Sequence, residues 1–273
     1  MLKTRVITAL ILLVCFVPAL FLFSNFYWAL VMLALSLLAC YEWAGMAKLD
    51  ANARMIFLLI AAIGGLIALL LLGKNGFHWL FFNALLLFAL VAVFWILIVP
   101  FWLKSQCVIR NKWLMCGLGL LLFASLWFAL ICAKGADPWL LLGLMATIWI
   151  ADSAAYFAGK NFGKHKLAPS ISPGKTWEGV FGALIAVTIF GAILYFFALV
   201  NSLAIFPALW AIAILGVMGD LFESMMKRQA NLKDSGNILP GHGGILDRID
   251  GLIPSLPIAI LMIYGYNLVS AGS

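Results

Sequence analysis

The sequence has little charge: only 10% of its 273 residues are Asp, Glu, Lys or Arg, and only 3 are His. Because soluble domains carry about 25% charged residues, this scarcity excludes a water-soluble globular domain and a disordered chain. The 5 cysteines form no C-x-x-C pair and lie in or beside apolar runs, which excludes a disulfide scaffold and a cysteine-based zinc site. Apolar residues make up 66% of the chain, and the mean hydropathy is +1.15. This composition is typical of an integral membrane protein.

Long continuous apolar runs, rather than alternating ones, predict membrane-spanning α-helices. A span needs about 20 apolar residues, and about nine runs reach that length. The first run follows Lys3 and Arg5 as a secretory signal would, but no small-residue cleavage site follows it, so we predict an anchor. The sequence therefore predicts an all-α polytopic membrane protein. Its spans are predicted at 6–23, 26–47, 55–73, 78–103, 112–133, 138–158, 177–200, 203–222 and 252–270.

The distribution of basic residues predicts the orientation of these helices. With the N-terminus in the cytoplasm, all 17 Lys and Arg residues except Lys74 and Lys134 lie in segments that face inward. Cytoplasmic loops carry an excess of Lys and Arg. We therefore expect the N-terminus to be cytoplasmic and the C-terminus to lie outside.

The charged residues are concentrated in two segments of the second half of the chain, 152–178 and 220–250. An ionisable group at membrane depth costs about 2.5–3.5 kcal/mol by insertion scales, and such groups tend to mark functional sites. The chemistry is therefore expected in this half. Residues 1–150 are predicted to form N-terminal transmembrane helices, about five and the start of the sixth, and residues 151–273 a catalytic membrane region with cytoplasmic segments 159–176 and 223–250.

One face of the eighth predicted helix carries polar residues only. Asp220, Glu223, Ser224 and Lys227 stand at i, i+3, i+4 and i+7, and Arg228 flanks them. The helix is thus expected to present carboxylates, a hydroxyl and cations in one line near the membrane interface.

The residues after this helix predict a site for phosphate and metal. The stretch 231–244 is rich in turn-forming residues, and the glycines around His242 would let backbone N–H groups approach an anion. Asp247 and Asp250 follow, one turn apart, at the opening of the last helix. Aspartate oxygens suit Mg²⁺, which takes one or two carboxylates together with substrate phosphates, and two such metals suit in-line displacement at phosphorus. The alternative is a solvated loop whose exposed ion pairs contribute little to stability.

The segment 152–178 is the expected partner of this site. Asp152, Tyr156 and Gly159 share one helix face, and Ser172 with Pro173 is predicted to cap the seventh span. The alternative is a basic cluster that only sets topology and touches anionic head groups. The basic side chains that follow are Lys160, Lys164, His165 and Lys166, with Lys175 and Thr176 at the expected helix N-terminus.

Two further features are interpreted as structural. The triplet Gly174-Lys175-Thr176 is not a P-loop, because Pro169 stands where that motif needs glycine and no strand precedes it. Glu42 is a lone acid in the second span, and we expect a satisfied or snorkelling side chain there rather than a catalytic one.

The order of polar residues in 220–250 resembles the signature of the phosphatidate cytidylyltransferase (CDP-diacylglycerol synthase) family. The block 152–178 is similar to a second conserved region of that family. The matching positions in the signature are Ser224, Lys227-Arg228, Lys233-Asp234, Pro240, His242-Gly243-Gly244 and Asp247-Arg248-x-Asp250.

The resemblance implies transfer of a cytidylyl group from CTP to phosphatidate, which gives CDP-diacylglycerol and pyrophosphate for phospholipid biosynthesis. It also implies Mg²⁺, with two metal ions of which the second could be a different cation, and a homodimer among membrane lipids with no nucleic-acid partner. The expected location is the bacterial inner (plasma) membrane, with the active site on the cytoplasmic face.

The resemblance also implies residue roles. Asp220 and Asp247 look like the metal ligands, with Asp250 an auxiliary ligand or orienter; Lys227, Arg228, Lys233 and Arg248 look like phosphate binders. The predicted catalytic residues are Ser224, Lys227, Arg228, Lys233, Asp234, His242, Arg248 and Asp250. The predicted substrate-binding residues are Asp152, Tyr156, Lys160, Ser172, Lys175, Thr176, Glu178, Gly243 and Gly244.

Three other functions would require different sequence features. A CTP-dependent lipid kinase of the polyprenol type would attack with an alcohol and need a base such as His242 or Asp234. A phosphatidate phosphate, whose second pKa is about 6, needs no strong base. A CDP-alcohol phosphotransferase would carry a D-G-x-x-A-R motif, which this sequence lacks. A transporter would show broken helices in paired halves, whereas the charge here is confined to one half.

Overall fold

The computed structural model describes residues 2–238, 241 and 243–271, and the side chains of these residues except 2–10, 12, 74–83 and 267–271. Ten helices and one short hairpin make up the described chain. The helices are α1 (Leu2–Leu22), α2 (Asn25–Met46), α3 (Ala51–Val93), α4 (Val99–Ser105), α5 (Lys112–Ala136), α6 (Pro138–Phe162), α7 (Trp177–Phe196), α8 (Ile205–Ala230), α9 (Leu246–Ile249) and α10 (Leu252–Ala271), and the strands are β1 (Lys166–Ala168) and β2 (Ser172–Thr176).

The chain is an all-α polytopic membrane protein, as predicted. Within the described residues, 8 helical segments are long and apolar enough to cross a bilayer, and Leu13–Leu22 is a shorter apolar helix. The 8 segments are Asn25–Met46, Ala51–Gly73, Ala84–Ser105, Lys112–Ala136, Pro138–Phe162, Trp177–Phe196, Ile205–Ala230 and Leu246–Tyr266.

Helix α3 departs from the prediction because it runs without a break through 74–77, where we expected a loop. The sequence 51–93 contains no proline, so nothing removes a helical hydrogen bond there. The first proline in this region is Pro100, and a π-helical turn at Phe94–Ile98 precedes it. The loop prediction at 74–77 is therefore wrong for the backbone.

The hairpin corrects a second prediction. Residues 172–176 are extended, and β1 and β2 pair antiparallel with Lys166 opposite Thr176. The cap of α7 is therefore Thr176, whose hydroxyl accepts a hydrogen bond from Gly179 N at 3.2 Å, and the expected cap at Ser172 is wrong. Ser172 belongs to β2 and pairs with Ala168 of β1, so the helix begins only after the strand ends.

Small residues let α6 and α7 pack closely. A Cβ atom on Gly179 would lie 2.9 Å from the carbonyl oxygen of Ala155, and one on Gly159 would lie 3.0 Å from Thr176 Oγ1. Small residues commonly allow such close helix contacts in membranes. This contact brings the start of α7 and the hairpin beside the middle of α6, where Asp152 lies.

Aromatic rings fix α8 against α4 and against the π-helical turn that precedes it. Phe222 packs edge-to-face on Trp95 at 5.3 Å, Trp102 at 5.4 Å and Phe94 at 5.8 Å between ring centroids. Phe222 and Trp95 are buried. Because Phe222 lies between Asp220 and Glu223 in sequence, this cluster turns the polar face of α8 away from the rings and toward α9 and α10.

Candidate active site

Asp247 is the most heavily hydrogen-bonded carboxylate in the described second half of the chain. Lys227 Nζ donates to its Oδ1 at 2.5 Å. Gly244 N donates to Oδ2 at 2.8 Å, and Ser235 donates to Oδ2 from its hydroxyl at 3.0 Å and from its backbone N at 3.1 Å. A carboxylate oxygen pair offers about four acceptor sites, so this network fixes the orientation of Asp247.

Lys227 links the two helices that carry the site. Its Nζ lies 2.8 Å from Glu223 Oε2 as well as 2.5 Å from Asp247 Oδ1, and its side chain is only 11% exposed. Glu223 is buried, and its Oε1 atom makes no hydrogen bond within the described residues. Buried charges are stable only when paired, and here one lysine is shared by two carboxylates, so its charge compensates only one of them and Glu223 Oε1 has no partner among the described residues.

Asp220 lies one turn before Glu223 on α8. Lys175 Nζ, from β2, lies 2.5 Å from Asp220 Oδ2, and Ser224 Oγ donates to Asp220 Oδ1 at 3.2 Å. The charges of Lys175 and Asp220 also act on Asp152 of α6. The two polar segments of the sequence therefore meet at Asp220.

Asp250 directly follows α9 and lies against α8 at Gly219. A Cβ atom on Gly219 would overlap the carbonyl oxygen of Asp250, so the backbones touch at this point. The Asp250 carboxylate accepts a hydrogen bond from Gly251 N at 2.8 Å, and the charges of Asp220, Glu223 and Asp152 act on it. The ends of the eighth and ninth predicted spans are thus adjacent, as the metal hypothesis requires.

Glu178 and Thr176 brace the hairpin in this structure. Glu178 Oε1 lies 2.6 Å from His165 Nδ1, and His165 N lies 3.2 Å from both Glu178 oxygens. Thr176 is buried and caps α7. Sequence reasoning proposed both residues as substrate ligands; their contacts here hold Lys175 in place beside Asp220.

Several of the predicted site residues are exposed in the structure. Lys160 Nζ lies 5.9 Å from the ring of Tyr156, and Arg228 Nη1 donates to Leu232 O at 3.4 Å. Gly243 has a φ of +83° and contacts Asp247, so a side chain there would be strained. His242 and Pro240 lie outside the described residues. Exposed members of the predicted site are Asp152, Tyr156, Lys160, Arg228, Lys233, Asp234 and Arg248, and Ser172 is partly buried.

Sequence reasoning missed Ser235 and the second role of Glu42. Glu42 is 3% exposed and accepts three hydrogen bonds, which confirms the expectation of a satisfied side chain. Its partners are nevertheless in the segment that carries Asp247. The sequence did contain an indication of this contact, because Glu42 is a single acid within a long apolar run. Such a side chain needs hydrogen-bond partners, and another part of the chain must supply them.

The carboxylates at this site are oxygen donors, the ligand type that Mg²⁺ prefers. In the part of the chain that the structure describes, no three His, Cys, Asp or Glu side chains are grouped so that they alone could hold a metal ion. Mg²⁺ keeps several waters and uses one or two carboxylates with substrate phosphates. Oxygen donors predominate at this site, and the unpaired Glu223 Oε1 adds a further buried oxygen beside the network.

Comparison with known proteins decides the family. The model of the cytidylyltransferase family matches residues 3–266. The chain belongs to the cytidylyltransferase family. A phosphatidate cytidylyltransferase from Pseudomonas aeruginosa is 36% identical over 275 residues, covering 97% of each chain. Proteins of the same name from Haemophilus influenzae and Brucella suis are 37% and 34% identical over 290 and 281 residues, covering 94% and 97% of this chain and 96% and 93% of theirs.

The similarity to these cytidylyltransferases is not confined to the charged segments. The family model includes α2 and α3 as well as α6 to α10, so Glu42 lies within the matched region together with Asp152, Asp220 and Asp247. The similarity therefore supports one functional unit over both halves of this cytidylyltransferase.

Lys227→Ala is expected to lower kcat/KM for CTP about 100-fold, a loss typical for one electrostatic contact in a protected site. The change leaves Glu223 and Asp247 as adjacent buried carboxylates without their shared cation, so we also expect lower stability, by about 3–5 kcal/mol. Steady-state kinetics per folded molecule and thermal unfolding measure the two effects.

Lys134→Ala is the matched control for that variant. Lys134 is also a buried lysine, but it donates to Phe23 O and Asn25 Oδ1 at the start of α2. The Lys134→Ala variant should have a lower free energy of unfolding and an unchanged kcat/KM per folded molecule. Unchanged kinetics in Lys227→Ala would remove Lys227 from the site.

Proposed function

We propose that this chain transfers the cytidylyl group of CTP to phosphatidate, forming CDP-diacylglycerol and pyrophosphate for phospholipid synthesis. The observation that carries the proposal is the identity of 36% and 37% to proteins named phosphatidate cytidylyltransferase over nearly the whole chain. The site agrees with it, because carboxylates and lysines from α6, β2, α8 and α9 meet there.

The reaction joins two polyanions. An oxygen of the phosphatidate phosphate forms a bond to the α-phosphorus of CTP, the bond between the α-phosphorus and the bridging oxygen breaks, and pyrophosphate leaves with that oxygen. The attacking phosphomonoester is already ionised near neutral pH, because its second pKa is about 6. The protein therefore needs to position the two substrates and compensate their charge more than it needs to remove a proton.

Asp220 and Asp247 are proposed to hold Mg²⁺, with Asp250 as auxiliary ligand and the second ion either Mg²⁺ or another cation. When bound, the ion lowers the repulsion between the substrates and stabilises charge on the leaving group. The network around Asp247 keeps its oxygens oriented before substrate arrives. Asp152 adds negative charge near Asp220.

The cations of the site are proposed to bind phosphate oxygens. Lys175 is 23% exposed, so it is accessible to a polyanion while it neutralises Asp220. Arg228, Lys233 and Arg248 are exposed, so they are accessible to a polyanion as well. The backbone N–H groups near Gly243 complete the proposed surface for the triphosphate, and His242, Asp234 and Ser224 stay proposed as catalytic residues.

The membrane arrangement is proposed from the basic residues and the apolar helices together. We propose a cytoplasmic N-terminus and an active site on the cytoplasmic face of the bacterial inner membrane, in a homodimer. The relatives are bacterial proteins, which supports that membrane. The diacyl tails would stay in the bilayer while the head group reaches the ends of α8 and α9.

Label transfer from CTP tests the function. Purified protein is incubated with phosphatidate vesicles, Mg²⁺ and CTP labelled with ³²P at the α or the γ position. We expect the α label in the lipid product and the γ label in pyrophosphate. Transfer of the γ label to a lipid alcohol would instead identify a CTP-dependent kinase, and no transfer of either label would contradict the proposal.

A further inference from the structure

Glu42 lies on α2, about 200 residues before the segment it contacts, and none of the proposed reaction steps uses it. Its Oε1 atom accepts a hydrogen bond from Ile245 N at 3.0 Å, and its Oε2 atom accepts from Leu246 N at 2.8 Å and Ser235 Oγ at 3.0 Å. The side chain is 3% exposed. One buried carboxylate therefore binds both ends of the segment 235–246.

Two glycines of the segment, Gly236 and Gly244, leave room for this carboxylate. A Cβ atom on Gly236 would lie 2.8 Å from Glu42 Cδ, and one on Gly244 would lie 2.6 Å from Glu42 Oε1. Real Cβ atoms essentially never approach so closely. Glycine at these two positions leaves the space that the Glu42 side chain fills, so a larger residue at either position would displace Glu42.

Ser235 connects Glu42 to Asp247. Its hydroxyl oxygen lies 3.0 Å from Glu42 Oε2 and 3.0 Å from Asp247 Oδ2. A serine hydroxyl has one hydrogen to donate, so the two carboxylates share it. Ser235 N also donates to Asp247 Oδ2, at 3.1 Å, which holds the residue between them.

We propose that Glu42 is a positioning residue that acts through Ser235 and the Ile245 and Leu246 amides to orient Asp247. The inference rests on the proposed function in that Asp247 serves the reaction. Groups that orient a metal-binding side chain typically change metal affinity or activity 10–100-fold when they are replaced. The anchor also ties α2, from the first half of the chain, to the catalytic segment.

Glu42→Gln tests the proposal with two measurements. The amide has one oxygen and one NH₂ group, so either Ile245 N or Leu246 N faces another donor. Without metal or nucleotide, we expect hydrogen exchange at the Ile245 and Leu246 amides to become at least about 10-fold faster. In the assay, the Mg²⁺ concentration for half-maximal activity should rise about 10-fold.

Three other variants complete the test. Gly45→Ala is the matched control on α2, because a Cβ atom there meets nothing within 4 Å, and it should match wild type in both measurements. Ser235→Ala removes only the shared hydroxyl and should also raise the Mg²⁺ requirement. If Glu42→Gln does not fold, Gly236→Ala decides the question by the same two measurements, because a Cβ atom there would lie 2.8 Å from Glu42 Cδ and displace that carboxylate.

The outcomes separate this inference from the proposed function. Exchange rates and a Mg²⁺ requirement equal to wild type in the folded variants would overturn the role of Glu42. Lower stability with unchanged exchange at the two amides and unchanged Mg²⁺ dependence would overturn it as well. If the wild-type protein makes no CDP-diacylglycerol, the proposed function fails, while the exchange measurement still reports on the anchor.

Discussion

Asp247→Asn is expected to reduce turnover at least about 1,000-fold, or about 4 kcal/mol in transition-state stabilisation, which is the upper range for one preorganised electrostatic group. Asn has the same shape, but it is neutral and only one of its two terminal atoms accepts. Its NH₂ group would face either Lys227 Nζ on one side or Gly244 N and Ser235 on the other. Asp220→Asn should show a similar loss, since that residue is the other proposed metal ligand.

Asp137→Asn is the control for these variants. Asp137 caps α6 by accepting a hydrogen bond from Trp139 N at 2.9 Å, and asparagine caps helices equally well. Initial rates with labelled CTP, at a Mg²⁺ concentration that saturates wild type, compare the three variants. Activity within a few-fold of wild type in either Asp220→Asn or Asp247→Asn would remove that residue from the metal site.

Gly219→Ala is expected to cause the second large loss, without removing any charge. A Cβ atom there would overlap Asp250 O and lie 2.9 Å from Pro254 Cγ. Proline has no N–H to donate, so the Asp250 carbonyl gets no helical bond from Pro254 and lies against α8. Overpacking of this kind costs about 1–3 kcal/mol, and a shift of about 1 Å at a site can cost 100-fold in rate.

Gly216→Ala, one turn earlier on α8, is the matched control. A Cβ atom there would lie 3.9 Å from its nearest neighbours, Ile148 Cγ2 and Ser255 Oγ, which is ordinary van der Waals contact. We expect Gly219→Ala to lose about 100-fold in kcat and Gly216→Ala to stay near wild type, measured with the same labelled-CTP assay. Equal activities would show that the close contact of α8 with Asp250 does not position the site.

Composition and helical spacing predicted much of the fold. Apolar runs located most of the helices to within a few residues, because a bilayer forces the backbone to satisfy its own hydrogen bonds. The same reasoning gave the wrong result at 74–77, since two apolar runs can share one helix. It also misplaced the cap of α7, because pairing between β1 and β2 depends on a contact across the hairpin that a local cap rule does not include.

The site was predictable where its residues share one element. Asp220, Glu223, Ser224 and Lys227 follow helical spacing, and the Ser224 and Lys227 contacts join residues four apart on α8. Contacts between distant parts of the chain were not predictable in this way. The bond between Lys175 and Asp220 and the anchor formed by Glu42 depend on how whole helices pack, which spacing alone does not encode.

Direct binding of Mn²⁺ tests the central claim that Asp220 of α8 and Asp247 of α9 belong to one divalent-cation site. Mn²⁺ prefers the same oxygen ligands as Mg²⁺, and its electron paramagnetic resonance signal reports the free ion. In the presence of CTP, wild type and Asp137→Asn should bind alike, and Asp220→Asn and Asp247→Asn should each bind at least about 10-fold more weakly. Equal Mn²⁺ affinity in all four proteins would contradict the account.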